Sequence, residues 1–236
     1  MRHATGMKGT IVVIPAFNEA RTIRAVVDAV LACDVDRVIV VDDGSRDGTV
    51  ALLRGLDLEI QAHAVNLGKG FALASGMQRA LEVGAARVVT LDADGQHCAA
   101  DIHRLEQASL QHPRALVIAA RQLARERAPA MRRFANAVAD FWISRACGRC
   151  VPDSQSGFRL YPAAMLAGLT TRPRANEGFA FETALLIDAV DAGADIVGVP
   201  VETTYPADRR ASYYRPWRDT WSIVRLVGGR LLRRRM

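Results

Sequence analysis

Short apolar, β-branched segments alternate with longer amphipathic segments through about the first 120 residues of the chain. The apolar segments are typical of buried strands, which are predicted at residues 10–14, 37–41, 58–64, 88–90 and 115–120. Apolar residues recur at helical spacing between them, which predicts helices at residues 19–32, 47–54, 71–83 and 99–111. This alternation predicts an α/β fold with a mostly parallel, helix-flanked sheet and right-handed crossovers.

The pattern changes beyond residue 121, where longer helices and isolated short strands are predicted. Helices are expected at residues 131–145 and 177–192, and strands at 157–161 and 195–204. The first helix places Phe134, Val138, Phe141 and Trp142 on one side. The second is apolar nearly all round, which predicts burial, so its Glu182 needs a partner there. With no clear linker, residues 1–205 are interpreted as one domain followed by a tail at 206–236.

Basic residues are concentrated in that tail. The whole chain has a net charge of +6, and residues 207–236 contain nine Arg and two Asp, a local charge of +7. A basic, Trp-bearing tail on a nearly neutral body favours a membrane surface, rather than nucleic acid, as a partner. If residues 216–232 are helical, Trp217, Trp221, Val224 and Leu231 share one stripe. A C-terminal helix that packs on the domain or mediates an oligomer is the alternative.

The sequence contains no apolar run of the roughly 18 residues that a membrane span requires. Its first residues also lack the apolar region of an export signal. We therefore expect a cytoplasmic protein that is peripheral on the cytoplasmic face of a membrane.

Three of the predicted strands end in loops that carry acids. These loops are Pro15-Ala16-Phe17-Asn18-Glu19, Asp42-Asp43-Gly44-Ser45 and Asp92-Ala93-Asp94. Because the carboxyl ends of parallel strands share one edge of a sheet, the acids are expected to converge on one crevice. Asp92 and Asp94 lie on one side of an extended tripeptide, where they can face Mg²⁺ or Mn²⁺ together with substrate phosphate oxygens. The pattern indicates a nucleoside diphosphate site, although turn and helix-cap chemistry is an alternative for each pair of acids.

Two further features bear on the ligand. Lys69 lies between two glycines, where the backbone can approach an anion, although a solvated loop lysine is an equal alternative. A carboxylate can accept hydrogen bonds from the base of either a uracil or a guanine nucleotide. A Walker loop or a Gly-x-Gly-x-x-Gly segment is absent after the first strand, which argues against an NTPase or a dinucleotide dehydrogenase.

Five segments, in this order, resemble the motifs of family 2 glycosyltransferases, and most closely those of polyprenyl- or dolichyl-phosphate mannose synthases. They are residues 14–19, 41–49, 66–70, 92–97 and 153–159, and a Phe-x-x-Glu-like element follows at 179–182. The resemblance implies a GT-A fold, an NDP-sugar donor linked to GDP or UDP, a divalent cation, and inversion at the anomeric carbon. It also implies a lipid-phosphate or other lipid acceptor.

Carried over position by position, the resemblance assigns roles to individual residues. It implies nucleotide-sugar binding by Pro15, Ala16, Asn18, Glu19, Asp42, Asp43, Lys69, Asp92, Ala93, Arg121 and Arg133. It implies metal binding by Asp92, Asp94 and Gln96, and it brings Arg159, with Arg121 and Arg133, to the phosphates. Each of these arginines has an alternative interpretation as an ordinary surface charge.

The chemistry implied is an in-line displacement in which Asp94 and Arg159 act at the catalytic centre. An ionised lipid phosphate would need no general base, whereas a hydroxyl acceptor would need one, for which Glu182 and Asp153 are the candidates. A nucleotidyltransferase is an alternative class, but it would be expected to carry a Gly-rich phosphate loop after the first strand. A non-catalytic nucleotide-binding module would not need the acids of residues 92–96.

Overall fold

A computed structural model describes residues 9–121, 130–169, 180–203 and 216–233. Side chains are described throughout these ranges except at residues 130–133, 135, 216–222 and 232–233. These residues form one sheet and the helices that flank it.

The domain is built on one seven-stranded sheet. Its strands are β1 (Thr10–Ala16), β2 (Arg37–Asp42), β3 (Glu59–Ala62), β4 (Arg87–Thr90), β5 (Ala115–Ala120), β6 (Arg159–Pro162) and β7 (Asp195–Pro200). They lie in the order β3-β2-β1-β4-β6-β5-β7. Neighbouring strands are parallel, except that β6 is antiparallel to both β4 and β5. The predicted α/β fold with a mostly parallel sheet is confirmed.

Helices cover both faces of this sheet. They are α1 (Ile23–Leu31), α2 (Lys69–Glu82), α3 (Ile102–Gln111), α4 (Ala130–Cys147), α5 (Ala163–Ala167), α6 (Phe181–Asp191) and α7 (Pro216–Arg233). Successive strand residues point to opposite faces. Val13 and Val41 accordingly belong to the core beneath α2, α4 and α6, whereas Val12 and Val40 belong to the core beneath α1 and α3. Burial on both faces explains why these strands are apolar throughout.

The helix α2 approaches the sheet unusually closely at Gly76. A β-carbon at this position would lie 2.3 Å from Val13 Cγ1 and 3.0 Å from Val41 Cγ2. Only glycine fits this contact without displacing strand side chains. The close approach seats the amino end of α2, which begins at Lys69, against the carboxyl edge of β1 and β2.

Several predicted boundaries were wrong. Residues 47–54 do not form an α-helix, since only a 3₁₀ segment at Val50–Leu53 is present. Asp47 instead uses its carboxylate to accept from Thr49 N and Ala20 N, at 3.0 Å each, so it links two loops. Lys69 lies in the first turn of α2 rather than in a loop. The last strand ends at Pro200, although Thr203 forms an isolated bridge with His97.

The C-terminal helix α7 packs on the domain. Val227 is buried in the core, where Ile223, Leu226 and Leu231 pack against it, and Arg230 pairs with Asp191 of α6. Val224 is 51% exposed. Val224 and Leu231 are seven residues apart in α7 and share one side of the helix as predicted, but Leu231 is partly buried against the core. The side chains of Trp217 and Trp221 lie outside the described residues.

Within the residues that the structure describes, no helix combines the length and the apolar character needed to span a bilayer.

Candidate active site

The strand registers bring the three acid-bearing loops to one edge of the sheet. Ala16 at the end of β1 is paired with Asp42 at the end of β2, and Leu91 N donates to Val13 O of β1 at 3.1 Å. The segments that follow these strands therefore leave the sheet side by side. The predicted convergence of the three loops is confirmed by this register.

The first two loops are hydrogen-bonded to each other. Asn18, with a φ of +53°, donates its main-chain N–H to Ser45 Oγ at 2.8 Å, and its Oδ1 accepts from Arg46 N at 2.8 Å. Glu19 N donates to Thr49 Oγ1 at 2.9 Å. Pro15 and Ala16 are buried residues of β1 beneath this junction. The loops thus form one preorganised wall of the crevice.

The carboxylates of Asp42 and Asp43 both accept hydrogen bonds from main-chain N–H groups of the loops. Asp42 is 4% exposed and accepts from Ser45 N at 3.2 Å, which is a turn interaction. Asp43 is 2% exposed and accepts from Leu67 N at 2.9 Å and Gly68 N at 2.7 Å. His63 Nδ1 lies 2.7 Å from the same carboxylate. Asp43 therefore fixes the loop that leads into Lys69.

A charged cluster joins the end of β4 to two helices. Lys69 Nζ lies 2.7 Å from Asp92 Oδ1 and 3.0 Å from Glu182 Oε2. Burial opposes the charge of Lys69, but Asp92 and Glu182 outweigh it and raise the pKa of the ammonium. Burial likewise opposes ionisation of Asp92, and the Lys69 charge overcomes it and holds the pKa of that carboxyl below its usual value. Glu182 was predicted to need a partner in its buried helix, and the structure shows that this partner is Lys69.

Gly157 leaves the space that the Asp92 carboxylate occupies. A β-carbon at Gly157 would lie 2.6 Å from Asp92 Oδ2, and the Gly157 carbonyl accepts from Thr90 Oγ1 at 2.8 Å. The loop at residues 153–158 therefore supports Asp92 from beneath.

Asp94 lies next to Asp92 on the same loop, with the buried Ala93 between them. Its Oδ1 accepts from Gln96 N at 3.0 Å, and its Oδ2 accepts from Gln96 Nε2. Asp92, Asp94 and Gln96 are all partly exposed, whereas Ala93 is 4% exposed and belongs to the core. The two acids thus stay at the crevice because the residue between them is anchored.

The donor chemistry of this loop fits a hard divalent cation. Asp92 and Asp94 provide carboxylate oxygens at the crevice, and Gln96 provides an amide. Among the described residues, no three His, Cys, Asp or Glu side chains form a complete metal cluster. Two carboxylates suit an ion that takes its remaining ligands from a diphosphate and water, as Mg²⁺ commonly does.

His97 lies behind the two acids. Burial lowers its pKa to about 4, even though the charge of Asp92 acts in the opposite direction. Its ring contacts Phe158 edge to face at 5.3 Å, and its Nδ1 has no hydrogen-bond partner among the described residues. His97 is therefore a neutral packing residue at neutral pH.

Arg121 and Asp153 form a bidentate ion pair at the end of β5. Arg121 Nε lies 2.8 Å from Asp153 Oδ2, and Arg121 Nη2 lies 3.0 Å from Asp153 Oδ1. Asp153 is completely buried, whereas the Arg121 side chain keeps 19% of its surface exposed. The Arg121 charge acts on both Asp92 and His97, which places it beside the crevice. Arg121 thus lies beside the crevice, where its role at the phosphates stays a prediction, whereas Asp153 does not reach the crevice surface.

Arg159 does not lie at the crevice surface. It is 1% exposed, and its guanidinium donates at 2.8 Å to three main-chain carbonyls, those of Ser154, Ser156 and Glu182. Burial opposes its charge, yet nearby groups, including Tyr161 and Glu182, raise the pKa of Arg159. The interpretation of Arg159 as a phosphate ligand is therefore at odds with its position, which is that of a brace between the 153–158 loop and α6. Arg133 lies in α4, and its side chain is outside the described residues.

Sequence reasoning missed two residues of the site. His63 follows β3, whose carboxyl end lies at the same edge of the sheet, so the rule that singled out the other loops also applied to it. Gly157 lies within the motif at residues 153–159, but its contact with Asp92 depends on a strand pairing that could not be predicted from the sequence.

Replacing Gly157 with alanine tests the support of Asp92. The added methyl group would displace the Asp92 carboxylate, so we expect metal-dependent nucleotide affinity to fall by roughly tenfold or more. Isothermal titration calorimetry with Mn²⁺ and a nucleoside diphosphate would measure this loss. Gly168→Ala is the matched control, because its new β-carbon meets Met165 O at an ordinary 3.5 Å. Equal affinities in the two variants would contradict the role assigned to Gly157.

Comparison with known proteins identifies the class of enzyme that this fold and crevice define. Residues 11–166 match the family model described as glycosyl transferase family 2. The chain belongs to this family and is a glycosyltransferase of the GT-A fold.

Its relatives include enzymes named for lipid-phosphate acceptors. A UDP-N-acetylglucosamine–dolichyl-phosphate N-acetylglucosaminyltransferase from Methanococcus voltae is 31% identical over 213 residues, which cover 82% of this chain and 84% of the relative. The polyprenol monophosphomannose synthase of Mycolicibacterium smegmatis is 29% identical, over 83% of this chain and 77% of the relative. Among solved structures, glucosyl-3-phosphoglycerate synthase from Mycobacterium tuberculosis, with Mn²⁺, UDP and phosphoglyceric acid, has a TM-score of 0.70 and 26% identity. That match covers 95% of this chain and 78% of the other.

Proposed function

We propose that this enzyme transfers a sugar, with inversion, from a GDP- or UDP-linked donor to a polyprenyl phosphate or related membrane lipid phosphate. The choice of a lipid phosphate as the acceptor rests on the ion pairs made by the two candidate general bases, Asp153 and Glu182. Asp153 is completely buried in its pair with Arg121, and Glu182 lies 3.0 Å from the Lys69 ammonium. Because both carboxylates are engaged by a cation, neither is placed to take a proton from a hydroxyl acceptor, and the site suits an acceptor that is already ionised.

The relatives support the same choice. The enzymes from Methanococcus voltae and Mycolicibacterium smegmatis are named for dolichyl phosphate and polyprenol acceptors. A hydroxyl acceptor remains the alternative, and it would require Glu182 to leave Lys69.

The leaving diphosphate would lie across the carboxyl ends of β1 and β4. Asp92, Asp94 and the amide of Gln96 would hold Mg²⁺ or Mn²⁺, which would supply Lewis-acid stabilisation of the departing diphosphate. Lys69 and Arg121 add positive charge beside the crevice, where charge develops as the bond to the anomeric carbon breaks. The acceptor oxygen would approach the anomeric carbon from the opposite side, which produces inversion.

The nucleoside would bind against the wall formed by the first two loops, beside Pro15, Ala16, Asn18 and Glu19. Asp42 still has acceptor lone pairs beyond its hydrogen bond with Ser45, so it is the better candidate for a base N–H. Asp43 would act indirectly, because its carboxylate orders residues 63–68.

A screen of donors and acceptors tests this function. Purified enzyme would be incubated with GDP- and UDP-sugars and Mg²⁺ or Mn²⁺, with and without a polyprenyl phosphate. Transfer that requires the lipid phosphate is expected. Transfer to hydroxyl acceptors at a comparable rate would contradict the choice of acceptor, and nucleotidyl transfer to a sugar phosphate would contradict the class of reaction.

We also propose that the enzyme acts as a peripheral protein on the cytoplasmic face of a membrane, with the tail contributing attachment. Each Arg near an anionic surface contributes about 1 kcal/mol, so the +7 charge of residues 207–236 should give salt-sensitive binding. Replacing Arg233, Arg234 and Arg235 with Gln should weaken sedimentation with anionic vesicles severalfold at low salt, with little change at high salt. Undiminished low-salt binding would contradict the role of the tail. These substitutions are preferable to removal of the tail, because Val227 and Arg230 contribute to the folded domain.

A further inference from the structure

The helix α4 has an apolar face on each of two opposite sides. One face, with Ile143, Ala146 and Cys147, is buried in the core. The other, called here the aromatic face, is exposed at Phe134 (68%), Val138 (40%), Phe141 (61%) and Trp142 (49%). The rings of Phe141 and Trp142 meet edge to face at 5.3 Å. Soluble proteins seldom expose a contiguous aromatic surface of this kind unless it binds something.

The charges around the aromatic face favour an anionic bilayer as its occupant. Arg145 is exposed on the same side, one turn beyond Phe141, and the sequence of α4 also contains Arg132 and Arg133. The helix has a single acid, Asp140, and its carboxylate accepts from Ser154 N at 2.8 Å on the domain side. Aromatic residues flanked by arginines are typical of helices that lie in the membrane interface. A second copy of this chain is less suitable, because its net charge of +6 would repel the first.

Hydrogen bonds connect α4, which carries the aromatic face, to a loop of the active site. The loop at residues 151–158 is bonded to α4 twice, through Ser154 N to Asp140 and through Val151 N to Ser144 Oγ at 2.9 Å. The same loop carries Asp153, the partner of Arg121, and Gly157, which supports Asp92. The helix that carries this face also lies beside the basic tail, since α7 packs against α4. A surface that docks through α4 would therefore hold the crevice at a fixed distance from itself.

We propose that the aromatic face of α4 inserts into the interface of an anionic membrane and holds the crevice at the level of the lipid phosphates. This inference rests on the proposed lipid-phosphate acceptor. It assigns membrane contact to a folded part of the catalytic domain, in addition to the tail.

Fluorescence of Trp142 tests insertion directly. The chain has three tryptophans, so the variant Trp217→Phe/Trp221→Phe leaves Trp142 as the single reporter. With vesicles of phosphatidylglycerol and phosphatidylcholine, we expect its emission to shift to the blue and to be quenched by brominated acyl chains. Co-sedimentation with unchanged Trp142 emission would overturn the proposal, since the protein would then be attached elsewhere.

A substitution pair tests the energetic contribution. Phe134→Ser/Phe141→Ser removes two exposed rings, so the partition coefficient onto the same vesicles should fall by roughly tenfold or more. The control is Leu110→Ser, which removes a side chain that is 56% exposed in the last turn of α3, next to the amino end of β5. Thermal unfolding and calorimetric binding of a nucleoside diphosphate should match the unsubstituted enzyme in both variants.

Activity separates this proposal from the proposed function. Transfer to a polyprenyl phosphate embedded in vesicles should fall in the double variant, while transfer to a short, water-soluble polyprenyl phosphate should not. Vesicle binding equal to that of the unsubstituted enzyme would overturn the docking role. So would a dimer in size-exclusion chromatography that the double variant abolishes, because the face would then join two copies. Failure of the unsubstituted enzyme to use either acceptor would instead contradict the proposed function, and the fluorescence result would still decide the docking role.

Discussion

Replacing Asp94 with asparagine should reduce sugar transfer by about 10²-fold or more while leaving the fold intact. The substitution removes one of two carboxylates that would offset the charge of a cation at the crevice. The amide that replaces the carboxylate is nearly the same size, and Asp94 is partly exposed. We therefore expect little change in the midpoint of thermal unfolding. Transfer rates and calorimetric binding of nucleoside diphosphate with and without Mn²⁺ would measure the effect.

The matched control for this substitution is Asp188→Asn. Asp188 is exposed on α6, so the variant makes the same change in charge and shape away from the crevice. It should retain normal transfer and normal metal-dependent binding. Undiminished metal-dependent binding and turnover in Asp94→Asn would show that the metal site is wrongly placed.

Replacing Arg159 with alanine should lower both stability and activity. Two buried carbonyls, those of Ser154 and Ser156, and the partly buried carbonyl of Glu182 would lose their donor. An unsatisfied buried polar group costs about 1–3 kcal/mol, so we expect a loss of roughly 3 kcal/mol or more in the free energy of unfolding. Lysine keeps the charge, but it lacks the planar fork that reaches three carbonyls, so Arg159→Lys should also be destabilised. Urea unfolding and transfer rates should be measured on the same samples.

This experiment separates a brace from a phosphate ligand. A phosphate ligand at the crevice would lose activity on substitution and keep its stability, whereas a brace loses both together. Arg54→Ala serves as the control, because Arg54 is exposed. A normal free energy of unfolding in Arg159→Ala would contradict the position described here and restore the interpretation as a ligand.

The sequence predicted the edge at which the site lies, because that edge depends only on strand order along the chain and on parallel pairing. The acids of the three loops therefore converge as expected. The direction of the Arg159 side chain could not be predicted in the same way. Arg159 begins a strand of four residues whose alternation puts Arg159 on the same side as Tyr161 and opposite Leu160. A strand of four residues is too short for its hydrophobic alternation to show which side faces the crevice. It is also too short to show that the strand is antiparallel.

The partners of the charged residues also could not be predicted from the sequence. Glu182 predictably required a partner, but Lys69 lies more than a hundred positions earlier in the chain. Asp153 and Asp43 stand in motifs where an acid suggests a ligand, yet each is held by donors from a distant segment. Burial and partner choice arise from tertiary contacts, so motif membership alone did not separate acids that face the crevice from acids that fix its walls.

The position of β6 has a consequence for the order in which the chain can fold. β5 pairs only with β6 and β7 in the described sheet, and both strands lie later in the sequence. On the ribosome, β1 to β4 have all their mutual partners once residue 90 has emerged, whereas β5 has none. The pair between Arg121 and Asp153 must likewise wait for the second half of the chain. A nascent chain therefore cannot complete its binding crevice before it has made the strands that close the sheet.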